Sequence, residues 1–188
     1  MKHKSRAIIT LVSIVTIILG FPLLAVGCGG NNSPLQLPNS SWHTYYNKNL
    51  GMGIAYPPDW MAIDITSTEV NFVPPIGNPT YSGNLLMSMD DLSANPMTLD
   101  EYSSQNIAQL KQVFKDFHSI ESSATTLGYI PAQKVVYTSS LGQTLYESMQ
   151  VFCIKDNKAY IITYTVEENQ YANSVDTIQQ MIDSVAFY

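Results

Sequence analysis

Charge is scarce in this chain. Only 13% of its 188 residues are Asp, Glu, Lys or Arg, and nine basic residues face fifteen acidic ones. Three of the nine, Lys2, Lys4 and Arg6, precede a long apolar run, so from Cys28 onward six lysines face fifteen acids, a formal charge of −9. So acidic a body repels phosphate backbones, which argues against nucleic acid as a partner. It also lacks the basic patches that grip anionic lipid headgroups. Cysteine is nearly absent: Cys28 and Cys153 are the two, too few for a disulfide framework or a CxxC redox pair. Cys153 stands in an apolar strand pattern with no base nearby, which reads as a buried, inert thiol. Two histidines remain in the body, His43 and His118, 75 residues apart. Neither has metal-ligand spacing, and no nucleophile elbow or phosphate-cradling glycine loop is present. The chain is therefore read as non-enzymatic, although catalytic groups can converge from distant positions.

What is abundant comes first at the N-terminus. Ala7 to Val26 is apolar behind the basic Lys2, Lys4 and Arg6, the layout of a secretory signal. It ends in Leu24-Ala25-Val26-Gly27-Cys28, which resembles a bacterial lipobox, although Ala25 stands where Leu is usual. Residues 1–27 then form a lipoprotein signal peptide, and Cys28, the first mature residue, carries acyl chains such as palmitate. Two chains anchor stably where one does not, at about 0.8 kcal/mol per buried CH₂. The alternative is a retained transmembrane helix, since the run is long enough to span. Both place the body outside the cytoplasm, on the outer face of the cytoplasmic membrane or in the periplasm. Residues 28–41, rich in Gly, Asn, Ser and Pro, read as a flexible tether.

Residues 42–188 carry one domain. Trp42 to Tyr46 and Met52 to Tyr56 form an opening hairpin that Pro57-Pro58 ends, because proline has no N–H for a ladder. Met61 to Val73 reads as one strand with a possible break at Ser67, Pro74 to Gly83 as a loop, and Asn84 to Leu92 as a strand. The period then changes. Thr98 with Glu101 fits a capping box, and Leu99, Tyr102, Ile107, Leu110, Val113, Phe114 and Phe117 make an apolar stripe. The spacing predicts a helix of about five turns. Phe117 to Thr126 and Ala132 to Thr138 read as strands around a turn at 128–131. Leu145 to Ile154 and Ala159 to Val166 form the longest hairpin. Its second strand is apolar on both faces, which predicts a central position. Tyr171, Val175, Ile178, Met181 and Ile182 give a second amphipathic helix, and Ser184 to Tyr188 a short closing strand. Twelve tyrosines suit a partly exposed sheet. The order predicts an α+β fold, helices over an antiparallel sheet.

Gly51-Met52-Gly53-Ile54-Ala55-Tyr56-Pro57-Pro58-Asp59-Trp60 resembles the opening hairpin of PsbP-like domains. Thr98-Leu99-Asp100-Glu101-Tyr102, the hairpin from Phe152 to Tyr160, and Ile182-Asp183-Ser184 are similar too. Met52 stands where the family usually has an aromatic. The resemblance spans about residues 42–188 and implies an α/β/α sandwich, a central antiparallel sheet covered by two long helices, as in PsbP and Mog. It implies an accessory or binding protein of a membrane complex or envelope component. In a phototrophic host it would imply an extrinsic photosystem II subunit.

The residues themselves offer two sets of site candidates. Trp42, His43, Tyr45 and Tyr46 are an aromatic cluster that could stack on a partner or glycan, set against ordinary packing at a sheet edge. Asp90, Asp91, Glu167 and Glu168 are acidic pairs that could help hold a divalent cation such as Ca²⁺, Mn²⁺ or Zn²⁺. Solvated charge at element ends is the competing explanation. No cofactor is expected beyond that cation. The alternative function is thus an extracytoplasmic metal-ion or small-ligand binding protein.

Overall fold

A strand that is apolar on both faces needs cover above and below. Lys158–Glu167 is such a strand, and the computed structural model places it at the centre of a seven-stranded antiparallel sheet. The structure describes residues 38, 40–77 and 83–188. The signal segment, Cys28 and most of the tether lie outside the described residues.

In chain order the strands before the first helix are β1 (His43–Asn47), β2 (Met52–Tyr56), β3 (Met61–Thr66), β4 (Glu69–Val73) and β5 (Asn84–Asp91). Helix α1 (Leu99–Val113) follows, then β6 (His118–Leu127), β7 (Ile130–Leu141), β8 (Thr144–Lys155) and β9 (Lys158–Glu167). A single 3-10 turn leads into α2 (Tyr171–Asp183), and β10 (Ala186–Phe187) closes the chain. The large sheet has the order β3-β4-β5-β9-β8-β7-β6, while β1, β2 and β10 form a separate small sheet.

Side-chain alternation along β9 divides the interior. Tyr160, Ile162, Tyr164 and Val166 pack with Ile178, Met181 and Ile182 of α2 and with Met52 and Ile54 of β2. Ala159 and Ile161 face the other way, onto Tyr102 and Leu110 of α1 and Phe152 of β8. One face of the large sheet is therefore covered by α1, the other by α2 and the small sheet. This is the expected α+β sandwich, with helices of 15 and 13 residues.

The local chemistry explains the element ends. The Thr98 hydroxyl accepts from the Glu101 N–H at 3.2 Å, and Glu101 Oε2 accepts from the Thr98 N–H at 2.9 Å. This reciprocal box satisfies two N–H groups that the first helical turn leaves open. Asp156 and Asn157 have φ of 51° and 56°. Two consecutive left-handed residues make the tight turn whose twist matches the flanking strands of β8–β9. Gly128 and Tyr129 do the same for β6–β7, at φ of 53° and 67°. Both strands at the edges of the large sheet are kinked by register shifts, between Asp64 and Thr66 in β3 and between Ser119 and Glu121 in β6.

Several expectations are corrected. Residues 61–73 are a hairpin, because Ser67 and Thr68 turn the chain and Glu69–Val73 folds back on β3. Helix α1 is about four turns, shorter than its apolar stripe. Phe114 takes an extended conformation, φ −102° and ψ 106°. Phe114 and Phe117 then reach the core from outside the helix by packing on Tyr137, with ring centroids 6.4 and 5.1 Å away. The stripe ran on because both segments cover the same sheet face. Val113 falls off that face and is 44% exposed. Ile130 and Pro131 belong to β7: Pro131 pairs only with β6, since the β8 ladder begins at Ala132. Three tyrosines, Tyr102, Tyr137 and Tyr164, are fully buried.

The capping box gives a direct check. Thr98→Ala should lower stability by about 1 kcal/mol, read from the urea midpoint, with the α1 face of the sheet more accessible to hydrogen exchange.

Candidate functional site

Alternation along a five-residue strand splits the aromatic cluster. Tyr45 pairs with Ile54 and points to the interior, while Tyr46 pairs with Gly53 on the outer face. The Tyr45 ring meets Phe72 edge-on at 5.5 Å. Its hydroxyl donates to the Asp64 carboxylate and accepts from the Asn47 side-chain amide at 3.1 Å. Burial first, and Asp64 second, pushes this phenol up to about 12. Tyr46 lies against Tyr188, ring centroids 5.4 Å apart. Beneath them is Gly53, where a Cβ would fall 2.9 Å from the Tyr46 ring and 2.8 Å from the Tyr188 hydroxyl. A side chain at this position would push the two rings aside. His43 is exposed and sits edge-on to Tyr56 at 5.6 Å. Trp42 packs on the core beside the small sheet. His43 and Tyr45 thus share one face of β1, joined through Tyr56 and Phe72, while Tyr46 lies on the other face and Trp42 precedes the strand.

The acidic candidates are likewise divided. Asp90 and Asp91 pair with Ala159 and Lys158 at one end of β9. Glu167 closes the other end opposite Tyr146, and Glu168 follows it. Nine strand steps put about 30 Å between the pairs. Within the first pair the roles differ. Asp91 is exposed and accepts from the Ser93 N–H at 2.8 Å, which holds its carboxyl below the usual range. Asp90 turns toward α1 and accepts from the Tyr102 hydroxyl at 2.8 Å. Burial raises Asp90, the Tyr102 hydrogen bond opposes that rise, and nearby Glu69 adds to it. Among the described residues, no three His, Cys, Asp or Glu side chains gather as a metal cluster.

A seam of neutral polar groups on the α1 face was not anticipated. The Asn106 amide donates to Gln150 at 2.9 Å, Asn84 donates to Asn71 at 2.9 Å, and the Ser148 and Thr165 hydroxyls lie 3.0 Å apart. Asn106, Gln150, Asn71 and Ser148 are buried. Such groups are tolerated inside because each finds a partner. Asn106 stands one turn from both Tyr102 and Leu110, so its position in the apolar stripe was the available signal. A shallow depression of about 670 Å³ opens at the start of α1, lined by Asn95, Met97, Asp100, Glu101 and Gln105. Glu101 is committed there to the helix cap.

Cys153 is completely buried in β8, and burial pushes its thiol up to about 12. A thiol held protonated at neutral pH is a poor nucleophile. His118 is exposed at the start of β6, at the far edge of the large sheet. It and His43 lie in different sheets.

Two outcomes follow from these environments. Thiol reagents should label Cys153 only on unfolding, with rates that track urea concentration when the modified site is mapped by mass spectrometry. Labelling in the native state would contradict its burial. The raised Asp90 carboxyl binds its proton more tightly in the folded chain, so its contribution is present below pH 3.8, the ordinary value, and is lost as pH rises through the raised value. Asp90→Asn keeps an acceptor for Tyr102 and removes that loss. The melting temperature of Asp90→Asn, taken relative to the parent, should therefore rise between pH 3.5 and about 7.

Comparison with known proteins agrees with this architecture. The fold is similar to the solution structure of cyanobacterial PsbP (CyanoP) from Synechocystis sp. PCC 6803, with a TM-score of 0.62 at 13% identity over 85% of this chain and 98% of that one. It is similar to a Bacteroides thetaiotaomicron VPI-5482 protein, with a TM-score of 0.57 at 14% identity over 79% of this chain and 49% of that one. It is also similar to PA94 from Pseudomonas aeruginosa, with a TM-score of 0.55 at 15% identity over 75% of this chain and 93% of that one. These likenesses show the PsbP-like fold. No curated protein matches the chain. The DcrB family model matches residues 69–184, from the first residue of β4 to the C-cap of α2. That span is more than half of the sequence, and the chain belongs to the DcrB family.

Proposed function

We propose that this protein is a lipid-anchored, extracytoplasmic PsbP-like domain that acts by binding, as an accessory subunit of a membrane complex or an envelope component. The observation that carries the reading is the placement of Cys28. It follows a 20-residue apolar run and is separated from Trp42 by 13 residues of polar, Gly- and Pro-bearing sequence. That order is anchor, tether, folded domain. The body supports recognition over chemistry through what its reactive groups are doing. Tyr45 is tied to Asp64, Tyr102 to Asp90, Glu101 to the α1 cap, and the Cys153 thiol is buried. Each is committed to the fold.

Metabolic labelling with a palmitate analogue tests the anchor. The parent protein should take up the label in its membrane fraction, and Cys28→Ala should abolish uptake and accumulate the unprocessed form. Labelling that survives Cys28→Ala, or none in the parent, rejects the lipid anchor. Cross-linking in the native membrane then identifies the complex, with one reproducible membrane protein as the expected product.

A further inference from the structure

The two ends of the large sheet differ in chemistry. Through the register, Met61 lies opposite Val73, Asn84 opposite Thr165, and Glu147 opposite both Val166 and Thr138. One end of the sheet therefore gathers Met61, the segment 74–77, the β7–β8 turn and the end of β9. The C-terminal end of α1 reaches it too, where Asp116 accepts from the Ser140 N–H at 3.1 Å. Exposed aliphatic side chains concentrate here: Ile76 at 104%, Val113 and Leu145 at 44%, Leu141 at 42% and Met61 at 39%. The opposite end carries the turn at Asp156 and Asn157 with Lys155 and Lys158, the turn at Lys48 and Asn49, and Tyr129. Its large exposed side chains are Tyr129 and Tyr188, while Ile63, Ile65 and Ile120 lie along the two edge strands.

The chain enters the domain at the aliphatic end. His43, the first residue of β1, pairs with Tyr56, and five residues later β3 begins at Met61. On the anchored reading, a chain of 14 residues between anchor and domain would span about 20 Å on average, at roughly 5–6 Å times the square root of its length. The described domain is about 40 Å across, since a compact globule's radius is roughly 1.3 times its radius of gyration, near 15 Å for this size. An anchor at Cys28 thus holds the aliphatic end nearer the bilayer than the opposite end, at a high effective concentration of lipid. Glu147, Glu167, Glu168 and Asp116 outnumber Lys111 and Lys115 at this end, so the surface suits neutral headgroups and is repelled by anionic ones.

We propose that the end bearing Ile76, Met61, Leu141 and Leu145 is a membrane-facing surface that seats on a zwitterionic bilayer, with Ile76 inserted among the lipids. This rests on the anchored reading for the placement of the bilayer, and the test separates the two.

The test uses the full chain reconstituted in phosphatidylcholine vesicles. Ile76→Trp reports insertion through quenching by lipids brominated on their acyl chains, read as the excess over the parent's own tryptophans. Tyr129→Trp, at the opposite end and 91% exposed, is the reference, and an unchanged melting temperature certifies both folds. The expected result is several-fold greater excess quenching for Ile76→Trp, diminished when a third of the lipid is phosphatidylglycerol. Flotation with vesicles but equal quenching at both positions overturns this surface and leaves the anchor standing. So does a photocrosslinker at position 76 that captures a protein in the native membrane in place of lipid. Quenching that grows with anionic lipid also overturns it. Failure of the processed chain to float removes the anchored reading itself.

Discussion

The structure depends on β9 being buried twice. A strand exposed on one face needs a single layer of cover and tolerates polar residues opposite. β9 instead presents Tyr160, Ile162 and Tyr164 to one side and Ala159 and Ile161 to the other. At about 25 cal/mol per Å² of apolar surface, neither set can be left in water. The two helices and the small sheet answer that demand from opposite sides. β9 is also the meeting point of β5 and β8, so the same residues that set the layers join the N-terminal and C-terminal halves of the large sheet.

Polar groups inside this sandwich are arranged to leave the layers intact. On the α2 side, the Tyr164 hydroxyl meets that of Ser174, and the Ala55 N–H donates to the Ser184 hydroxyl at 2.8 Å. These bonds tie the last helix to the central strand and to β2. On the α1 side the amide and hydroxyl seam does similar work, with Asp90 and Tyr102 closing its lower end. Tyr137 is the most costly member: its phenol is buried beside Ser148 and is pushed up to about 12. The interior is thus specified by hydrogen bonds as well as by shape.

Much of this architecture was legible in the sequence because strong local signals agreed with the tertiary outcome. The two-faced pattern of 159–166 announced the central strand. Thr98 with Glu101 announced the helix start, and Tyr171 to Ile182 announced α2. What escaped was decided by distance in space. The stripe of α1 ran past its end because Phe114 and Phe117 return to the same sheet face without helical backbone. Ser67 and Thr68 carry no glycine or proline, so the β3–β4 turn left only a faint trace. The aromatic run from Trp42 to Tyr46 looked like one surface, but strand alternation sends Tyr45 and Tyr46 to opposite sides. Likewise the acidic pairs looked interchangeable in sequence, whereas Asp90 is half-enclosed under α1 and Glu167 stands in solvent.

The kinks in β3 and β6 bear on how one copy of the molecule meets another. A flat, straight sheet border would recruit a neighbour's strand as its next member. Here each border is interrupted by an unmatched residue, near Ile65 on one side and Ile120 on the other. The interruption twists the backbone groups out of line with any incoming strand. The borders can therefore stay uncovered without feeding polymer growth, and the sheet remains seven strands wide even where copies of the protein are crowded together.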